Sequence, residues 1–198
     1  MSSLKIKRKG IVFIVSGPSG SGKTTLCRRL LLTRSAKGKL FKTISLTTRP
    51  KRRGEKSNKD YSFVSEKNFL RLKARGQLLE SQKVFGFFYG TPKNFVEEKI
   101  KKGKDVLLSI DVKGARVVKK IYPGACGIFI MPPSGGALKQ RLHKRSTESK
   151  DSMLRRLKLA KWEMGFAKKY DYVIINDKLA KAVSELETIM VNERLRRM

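Results

Sequence analysis

Cysteine, histidine and acidic residues are scarce in this 198-residue chain, which contains two Cys, one His and 16 Asp and Glu. Cys27 and Cys126 form no metal-ligand spacing, so we expect reduced residues packed in the core. No apolar run approaches the roughly 18 residues that a membrane-spanning helix needs. The run that follows the basic N-terminal segment covers only residues 11–15, which is too short for a signal-peptide core. The sequence therefore predicts a soluble, cytoplasmic protein with no membrane partner.

Positive charge is in large excess, because 47 Lys and Arg against 16 Asp and Glu give a formal net charge of +31. Such a balance favours polyanionic partners. The basic residues are spread over residues 5–9, 49–59, 99–104, 113–120 and 155–161, and no recognised nucleic-acid-binding motif accompanies them. Two interpretations stay open, a second nucleic-acid-binding activity or a basic surface that serves solubility. The dispersed pattern favours the second and predicts only weak, sequence-independent binding to DNA or RNA.

Short apolar runs alternate with segments of helical periodicity along most of the chain. The runs cover residues 11–15, 106–110, 127–131 and 172–175, and a helical pattern follows each of them. Continuous β-branched and aromatic runs are typical of strands that are buried on both faces. The fold class predicted is therefore α/β, a parallel sheet flanked by helices.

Two segments interrupt this alternation. Residues 43–91 show short alternating strands around one short helix at residues 67–75, which predicts an inserted α+β subdomain. Residues 145–152 are polar and charged, and they predict a small mobile flap. We therefore predict one domain over residues 1–198. Its core comprises about 1–42, 92–137 and 157–198, its insert about 43–91, and its lid about 138–156.

A glycine-rich motif follows the first predicted strand. Gly17-Pro-Ser-Gly-Ser-Gly22-Lys23-Thr24 matches G-x-x-x-x-G-K-[ST] between a buried strand and a helix. In such a loop backbone N–H groups surround phosphate oxygens, Lys23 reaches the β- and γ-phosphates, and the Thr24 hydroxyl can bind Mg²⁺. The motif predicts a nucleoside triphosphate site made of Gly17, Pro18, Ser19, Gly20, Ser21, Gly22, Lys23, Thr24 and Thr25.

Beyond this loop, the chain resembles the guanylate kinase family of P-loop nucleoside monophosphate kinases in order from Ile11 to Arg194. The matching segments are SLTTRPKRRGE at 45–55, DYSF at 60–63, FGFFYGT at 85–91, IDVKG at 110–114, PPS at 132–134 and IND at 175–177. The resemblance implies transfer of the γ-phosphoryl group of ATP to GMP or dGMP, giving ADP and GDP in purine nucleotide metabolism. It also implies Mg²⁺ as the cofactor.

The same resemblance implies a GMP site in the insert. Arg49, Arg52, Tyr61 and Tyr89 match the family's phosphate-binding positions, and Glu80 and Asp111 match its acceptors for the N1–H and N2–H₂ donors of guanine. Ser45, Gly90 and Thr91 match positions near the base. Adenine would turn a lone pair toward Glu80, so a preference for guanine of roughly 10⁴-fold is expected.

The lid carries arginines that resemble those with which the family covers the transferring phosphoryl group, namely Arg141, Arg145 and Arg156. The implied catalytic set is Lys23, Arg52, Arg145 and Arg156. Asn176 matches a position near the adenine of ATP. The acceptor phosphate oxygen is already ionised at pH 7, so no general base is needed, and we expect His143 on the surface.

Two departures from the family pattern affect the metal and the lid. Ser109 stands where the family usually has Asp, which would help hold the water shell of Mg²⁺, so we expect altered metal binding and turnover but an undisturbed GMP site. Lys144, Arg145 and Ser146 stand where the lid usually has glycines.

Other classes of function are less favoured. The intact Gly22-Lys23-Thr24 argues against a kinase-like module that only binds phosphopeptides. Tyr61, Glu80 and Tyr89 argue against a kinase for another phosphorylated small molecule. The sequence does not predict an oligomeric state.

Overall fold

A five-stranded parallel sheet forms the centre of the computed structural model, which describes residues 9–52, 54–143 and 150–197. The strands are β1 (Val12–Ser16), β2 (Leu40–Lys42), β3 (Leu46–Thr47), β4 (Ser62–Phe63), β5 (Leu78–Val84), β6 (Phe87–Pro92), β7 (Asp105–Ser109), β8 (Cys126–Met131) and β9 (Tyr172–Ile175). The helices are α1 (Lys23–Leu30), α2 (Glu66–Ala74), α3 (Lys93–Lys101), α4 (Val112–Ile121), α5 (Gly135–His143), α6 (Lys150–Met164) and α7 (Leu179–Leu195).

The central sheet has the strand order β2-β7-β1-β8-β9, and all its neighbouring strands are parallel. Side chains of β1 alternate between two apolar layers. Phe13 packs with α1 and α7 on one face, and Ile14 packs with α3 and α4 on the other. Both are fully buried, as a strand covered on both faces requires. The prediction of a parallel α/β sheet flanked by helices is confirmed.

The edge strand β2 (Leu40–Lys42) is absent from the sequence prediction, and the insert predicted from residue 43 has its first strand only at Leu46–Thr47. Three residues are too few to show a periodicity, which explains the omission of β2. The Thr43 N–H still donates to the Leu107 carbonyl of the central sheet (3.0 Å), whereas Leu46 pairs with β4 and β6. Residues 43–45 therefore cross from one sheet to the other, and only Leu46–Thr47 forms a strand.

A second, four-stranded sheet of order β4-β3-β6-β5 lies between Leu46 and Pro92. Phe69 of α2 stacks on Phe88 with ring centroids 5.3 Å apart, which covers one face of this sheet. A two-residue turn joins β5 to β6, and both Phe85 and Gly86 have positive φ, 48° and 85°. This tight turn sets the register that places Glu80 opposite Thr91. The limits predicted for the insert and lid stay predictions.

Several smaller predictions concern single residues and the membrane. Cys27 and Cys126 are free and buried, and burial raises the pKa of the Cys27 thiol to about 11. His143 is exposed at the end of α5. Within residues 9–52, 54–143 and 150–197, no helix has the length and apolar character needed to cross a membrane.

Candidate active site

The glycine-rich loop connects β1 to α1, as the sequence predicts. Gly17, Gly20 and Gly22 have φ values of 140°, 88° and 95°, which residues with a Cβ rarely adopt. A Cβ on Gly17 would collide with the Ile130 carbonyl, and one on Gly22 would collide with the Asn176 amide. The backbone can therefore curve here only because these positions are glycine.

Lys23 is the first residue of α1, and its side chain lies back over the loop. Its Nζ donates to the carbonyl oxygens of Gly17 (2.5 Å) and Pro18 (3.0 Å). Thr24 and Thr25 follow in the first turn and are exposed. The helix N-terminus and the Lys23 ammonium thus place positive charge beside one loop, a suitable environment for an anion.

Asn176 lies directly after β9 and is buried against the loop. Its side-chain amide donates to the Ser21 carbonyl (2.7 Å), and its backbone carbonyl accepts a hydrogen bond from Nη2 of Arg141 (2.9 Å). The structure therefore brings together Asn176, the glycine-rich loop and Arg141 of α5.

Helix α6 contributes two buried side chains to Ser19. Nη2 of Arg156 donates to the Ser19 hydroxyl (3.1 Å), and the Glu163 carboxylate accepts a hydrogen bond from the Ser19 backbone N–H. Residues seven apart lie on the same face of a helix, which is why both reach one loop residue. Arg145 lies outside the described residues.

Glu163 was not predicted as a site residue. Burial raises the pKa of its carboxyl to about 7, the Lys23 ammonium opposes that rise, and the Asp111 carboxylate adds to it. The sequence offered one indication of its role, the spacing of seven residues from Arg156. A single acidic residue on a helix does not indicate a functional site unless the packing of that helix against the loop is known.

A second cluster joins the insert to the central sheet through Glu80, Thr91 and Asp111. The Thr91 hydroxyl donates to Oε1 of Glu80 (2.7 Å), and Asp111 caps α4 by accepting from the Gly114 N–H (2.7 Å). A Cβ on Gly114 would lie 2.7 Å from Oε2 of Glu80 and 3.4 Å from Oδ1 of Asp111. Gly114 therefore allows two carboxylates from distant segments to approach each other.

The electrostatic state of Glu80 follows from this arrangement. Burial raises the pKa of its carboxyl to about 7, the Thr91 hydroxyl opposes that rise, and repulsion from Asp111 adds to it. A ligand that donates hydrogen bonds to both carboxylates would relieve the repulsion. The cluster is thus suited to a ligand with neighbouring N–H donors.

Arg49 is the centre of a third group, at the start of the insert. Its guanidinium lies 5.5 Å from the centroid of the Tyr61 ring, and that centroid is 6.1 Å from the centroid of Tyr89. Nη2 of Arg49 donates to Oε1 of Glu55 (2.8 Å), and the backbone N–H of Arg52 donates to the other oxygen (2.8 Å). Glu55, which was not predicted as a site residue, therefore holds both arginines in one loop.

The remaining predicted residues are less strongly defined by contacts. The Arg52 side chain is exposed, and Ser45 is half-buried. Gly90 is buried on β6, and a Cβ added there would lie 3.0 Å from side-chain atoms of Phe69 and Leu78. None of these three adds a side-chain hydrogen bond to the clusters among the contacts that the structure describes.

The glycine-rich loop, called the P-loop from here on, and the Glu80 cluster meet at the carboxyl ends of parallel strands. The loop follows β1, Asp111 follows the neighbouring strand β7, and Asn176 follows β9. The Ser16 hydroxyl at the end of β1 donates to the Ile110 carbonyl (2.9 Å). Ligands of open α/β sheets bind at this edge. The two clusters therefore lie beside one cleft region rather than on separate faces.

Fold and site together define a P-loop nucleoside monophosphate kinase. Its core is a parallel sheet with a phosphate-binding loop, and a subdomain with a four-stranded sheet is inserted into that core. The family model for guanylate kinase matches residues 9–193. The chain belongs to the guanylate kinase family, and it is a kinase of the nucleoside monophosphate class.

Individual relatives agree with this assignment over nearly the full length. The guanylate kinase of Symbiobacterium thermophilum is 46% identical over 96% of this chain and 89% of its own length. That of Wolbachia from Brugia malayi is 43% identical over 98% of each chain. The crystal structure of guanylate kinase from Anaplasma phagocytophilum superposes with a TM-score of 0.78 at 34% identity, covering 97% of this chain and 88% of that one. The predicted family and enzyme class are confirmed.

Proposed function

We propose that this enzyme transfers the γ-phosphoryl group of ATP to GMP or dGMP, giving ADP together with GDP or dGDP. The observation that carries the proposal is the pairing of two carboxylates, Glu80 and Asp111, beside the P-loop strand edge. Guanine has N1–H and N2–H₂ donors on adjacent atoms, and these donors match two neighbouring acceptors. Adenine has a lone pair at N1, which a carboxylate repels.

The rest of the GMP site is proposed to lie in the insert, residues 43–91. Ser45, Gly90 and Thr91 would surround the base. The phosphate would bind Arg49 and Arg52, together with the hydroxyls of Tyr61 and Tyr89. A phosphomonoester has close to two negative charges at neutral pH, and guanidinium groups bind its oxygens in a bidentate manner. Buried Arg49 is already held by Glu55, so little side-chain entropy is lost on binding.

Catalysis would depend on positioning and on neutralising charge. The acceptor oxygen is ionised, so no group has to remove a proton from it. Lys23 would bind the β- and γ-phosphates, Arg52 the acceptor phosphate, and Arg145 and Arg156 the transferring group. Arg156 is already buried on Ser19 of the P-loop. Residues 138–156 would act as a lid that excludes water, which strengthens these interactions.

Mg²⁺ would be held mainly by the phosphates of ATP and by the Thr24 hydroxyl. Among the residues that the structure describes, no group of three or more His, Cys, Asp and Glu could hold a metal by itself. An exposed hydroxyl after the P-loop lysine fits a cation that keeps several waters and binds few protein ligands. The bound cation would supply charge neutralisation on the phosphates.

Ser109→Asp is expected to lower the Mg²⁺ concentration at half-maximal rate. Ser109 ends β7 beside the P-loop strand, and its hydroxyl donates to the Cys27 sulfur. A carboxylate there would hold the water shell of a hard cation more strongly than a hydroxyl does. The measurements are rate against Mg²⁺ concentration and the Mg²⁺ dependence of ATP binding by calorimetry. Ser109→Asn is the uncharged control. Equal Mg²⁺ dependence in the wild type and Ser109→Asp would contradict this expectation.

The proposed activity is tested by coupled measurement of ADP release with GMP, dGMP, AMP and UMP at equal concentrations. GMP and dGMP should be phosphorylated, and AMP and UMP should react roughly 10⁴-fold more slowly. An AMP rate equal to the GMP rate would show that the Glu80 cluster does not select guanine.

A further inference from the structure

A groove outside the proposed active site lies between α4 and the end of α6. Its volume is about 410 Å³. Its lining includes one insert residue, three basic residues and two aromatic residues, namely Gln82, Lys113, Arg116, Lys120, Trp162 and Phe166. None of these residues belongs to the P-loop or to the Glu80 and Arg49 clusters. The proposed phosphoryl transfer leaves the groove unexplained.

The aromatic side of the groove consists of exposed Trp162 and half-buried Phe166, whose rings pack against each other. Trp162 is the single tryptophan of the chain, and its side chain is 44% exposed, whereas the neighbouring Glu163 is buried. Its ring meets Phe166 edge to face, with centroids 4.6 Å apart. The exposed part of the Trp162 indole, held in place by Phe166, is an apolar surface on which a planar group can stack.

The basic side of the groove is formed by one face of α4. Lys113, Arg116 and Lys120 are exposed at spacings of three and four, so they follow one another along the helix. Nζ of Lys113 lies 5.6 Å from the centroid of the Trp162 ring. Among the described lining residues none is acidic. The groove therefore combines a row of cations with a stacking surface.

We infer that this groove binds single-stranded nucleic acid, with a base stacked on Trp162 and backbone phosphates on Lys113, Arg116 and Lys120. Single-strand sites in proteins combine a positively charged groove with aromatic side chains on which bases stack. The net charge of +31 attracts such a polyanion over a distance. Base pairing hides the faces of bases in a duplex, so the aromatic contribution requires a single strand.

Trp162 provides a direct probe, because its fluorescence reports only this site. An oligothymidylate of about eight nucleotides is a suitable ligand, since the site size of a single-strand groove is about 4–16 nucleotides. Thymine lacks the adjacent N–H donors that the Glu80 cluster would require. Binding at low salt should quench Trp162, and excess GMP should not displace the oligonucleotide. Displacement by GMP, or binding without quenching, would overturn the proposal.

Substitutions in the groove test which residues contribute to oligonucleotide binding. Trp162→Ala should weaken binding of a fluorescently labelled oligothymidylate, followed by anisotropy, at least about fivefold, the smallest effect expected for one lost base stack. Lys113→Glu/Lys120→Glu should weaken it more. The matched control is Lys67→Glu/Lys73→Glu, which makes the same charge change on exposed positions of α2. Equal losses in the two double variants would show binding by overall charge and overturn the groove assignment.

Salt dependence and competing polyanions complete the test. For the wild type, three phosphate contacts predict a slope of about −2 in a plot of log affinity against log salt concentration. The Lys113→Glu/Lys120→Glu variant loses two of these contacts, so its slope should be less than about half of that value. A duplex of the same length or a polyglutamate peptide should bind more weakly and leave Trp162 unquenched. Equal binding and quenching by either would contradict a single-strand site. Retained GMP kinase activity in Trp162→Ala confirms that the variant is folded.

Discussion

Glu80→Gln is expected to lower kcat/KM for GMP by roughly 10²- to 10³-fold, with a much smaller effect on AMP. The proposed guanine contacts need a charged acceptor, and loss of one partner of a buried charged hydrogen bond costs about 2–5 kcal/mol. The amide group of Gln would also direct a donor toward the guanine donors. The preference for GMP over AMP should fall accordingly. Steady-state kinetics with both nucleotides measures it, and an unchanged preference would refute the role of Glu80.

The pH dependence of GMP binding gives an independent measure of the same carboxyl. Because the pKa of Glu80 is raised to about 7 in the unliganded protein, the ionised form that accepts from guanine accumulates as pH rises through 7. GMP affinity should therefore rise between about pH 6 and 8 and level off above. The GMP phosphate itself ionises near pH 6. Glu80→Gln is the control, because it should keep only this phosphate contribution. Identical profiles would contradict the assignment.

The same titration affects folding in the opposite direction. A carboxyl whose pKa is raised from 4.5 to about 7 in the folded state holds its proton where the unfolded chain has released it. The contribution of Glu80 to the free energy of unfolding therefore decreases as pH rises from about 4.5 to 7. Tight GMP binding and maximal stability of this region consequently favour different pH ranges.

Lys23→Ala is expected to reduce kcat by about 10²- to 10³-fold or more while changing GMP affinity less than about threefold. The ammonium lies on the P-loop, held by the Gly17 and Pro18 carbonyls, and the GMP site is proposed in the insert. Removal of a charge that stabilises a developing negative charge has effects of about 10²- to 10³-fold or more. Single-turnover rates and calorimetric titration with GMP separate the two quantities.

The control for this variant is Lys181→Ala on α7, an exposed lysine whose removal makes the same change in net charge. It should leave kcat unchanged. A loss of GMP affinity as large as the loss of kcat in Lys23→Ala would instead indicate that Lys23 organises the whole cleft.

The sequence pattern was sufficient to predict those structural elements that are formed by one continuous segment of the chain. Residues 11–15 predicted a buried strand because every side chain in it is apolar, and Phe13 and Ile14 are indeed fully buried on opposite faces. Gly17, Gly22 and Lys23 predicted a phosphate loop because the required backbone freedom and charge lie within eight residues. The short strand β2 had no such signal.

Sequence alone thus determined the α/β class, the P-loop and, through resemblance, the family and the residues of the proposed GMP site. Only the tertiary structure decided which distant groups meet. Glu163 reaches Ser19 because α6 packs on the loop, and Glu80 approaches Asp111 because Gly114 leaves space between two sheets. Lys113 of α4 lies near the Trp162 ring of α6 because the fold places these two helices on either side of the groove. Burial and repulsion, which shift the pKa of Glu80 and Glu163, arise from these long-range contacts, and no local pattern along the chain encodes them.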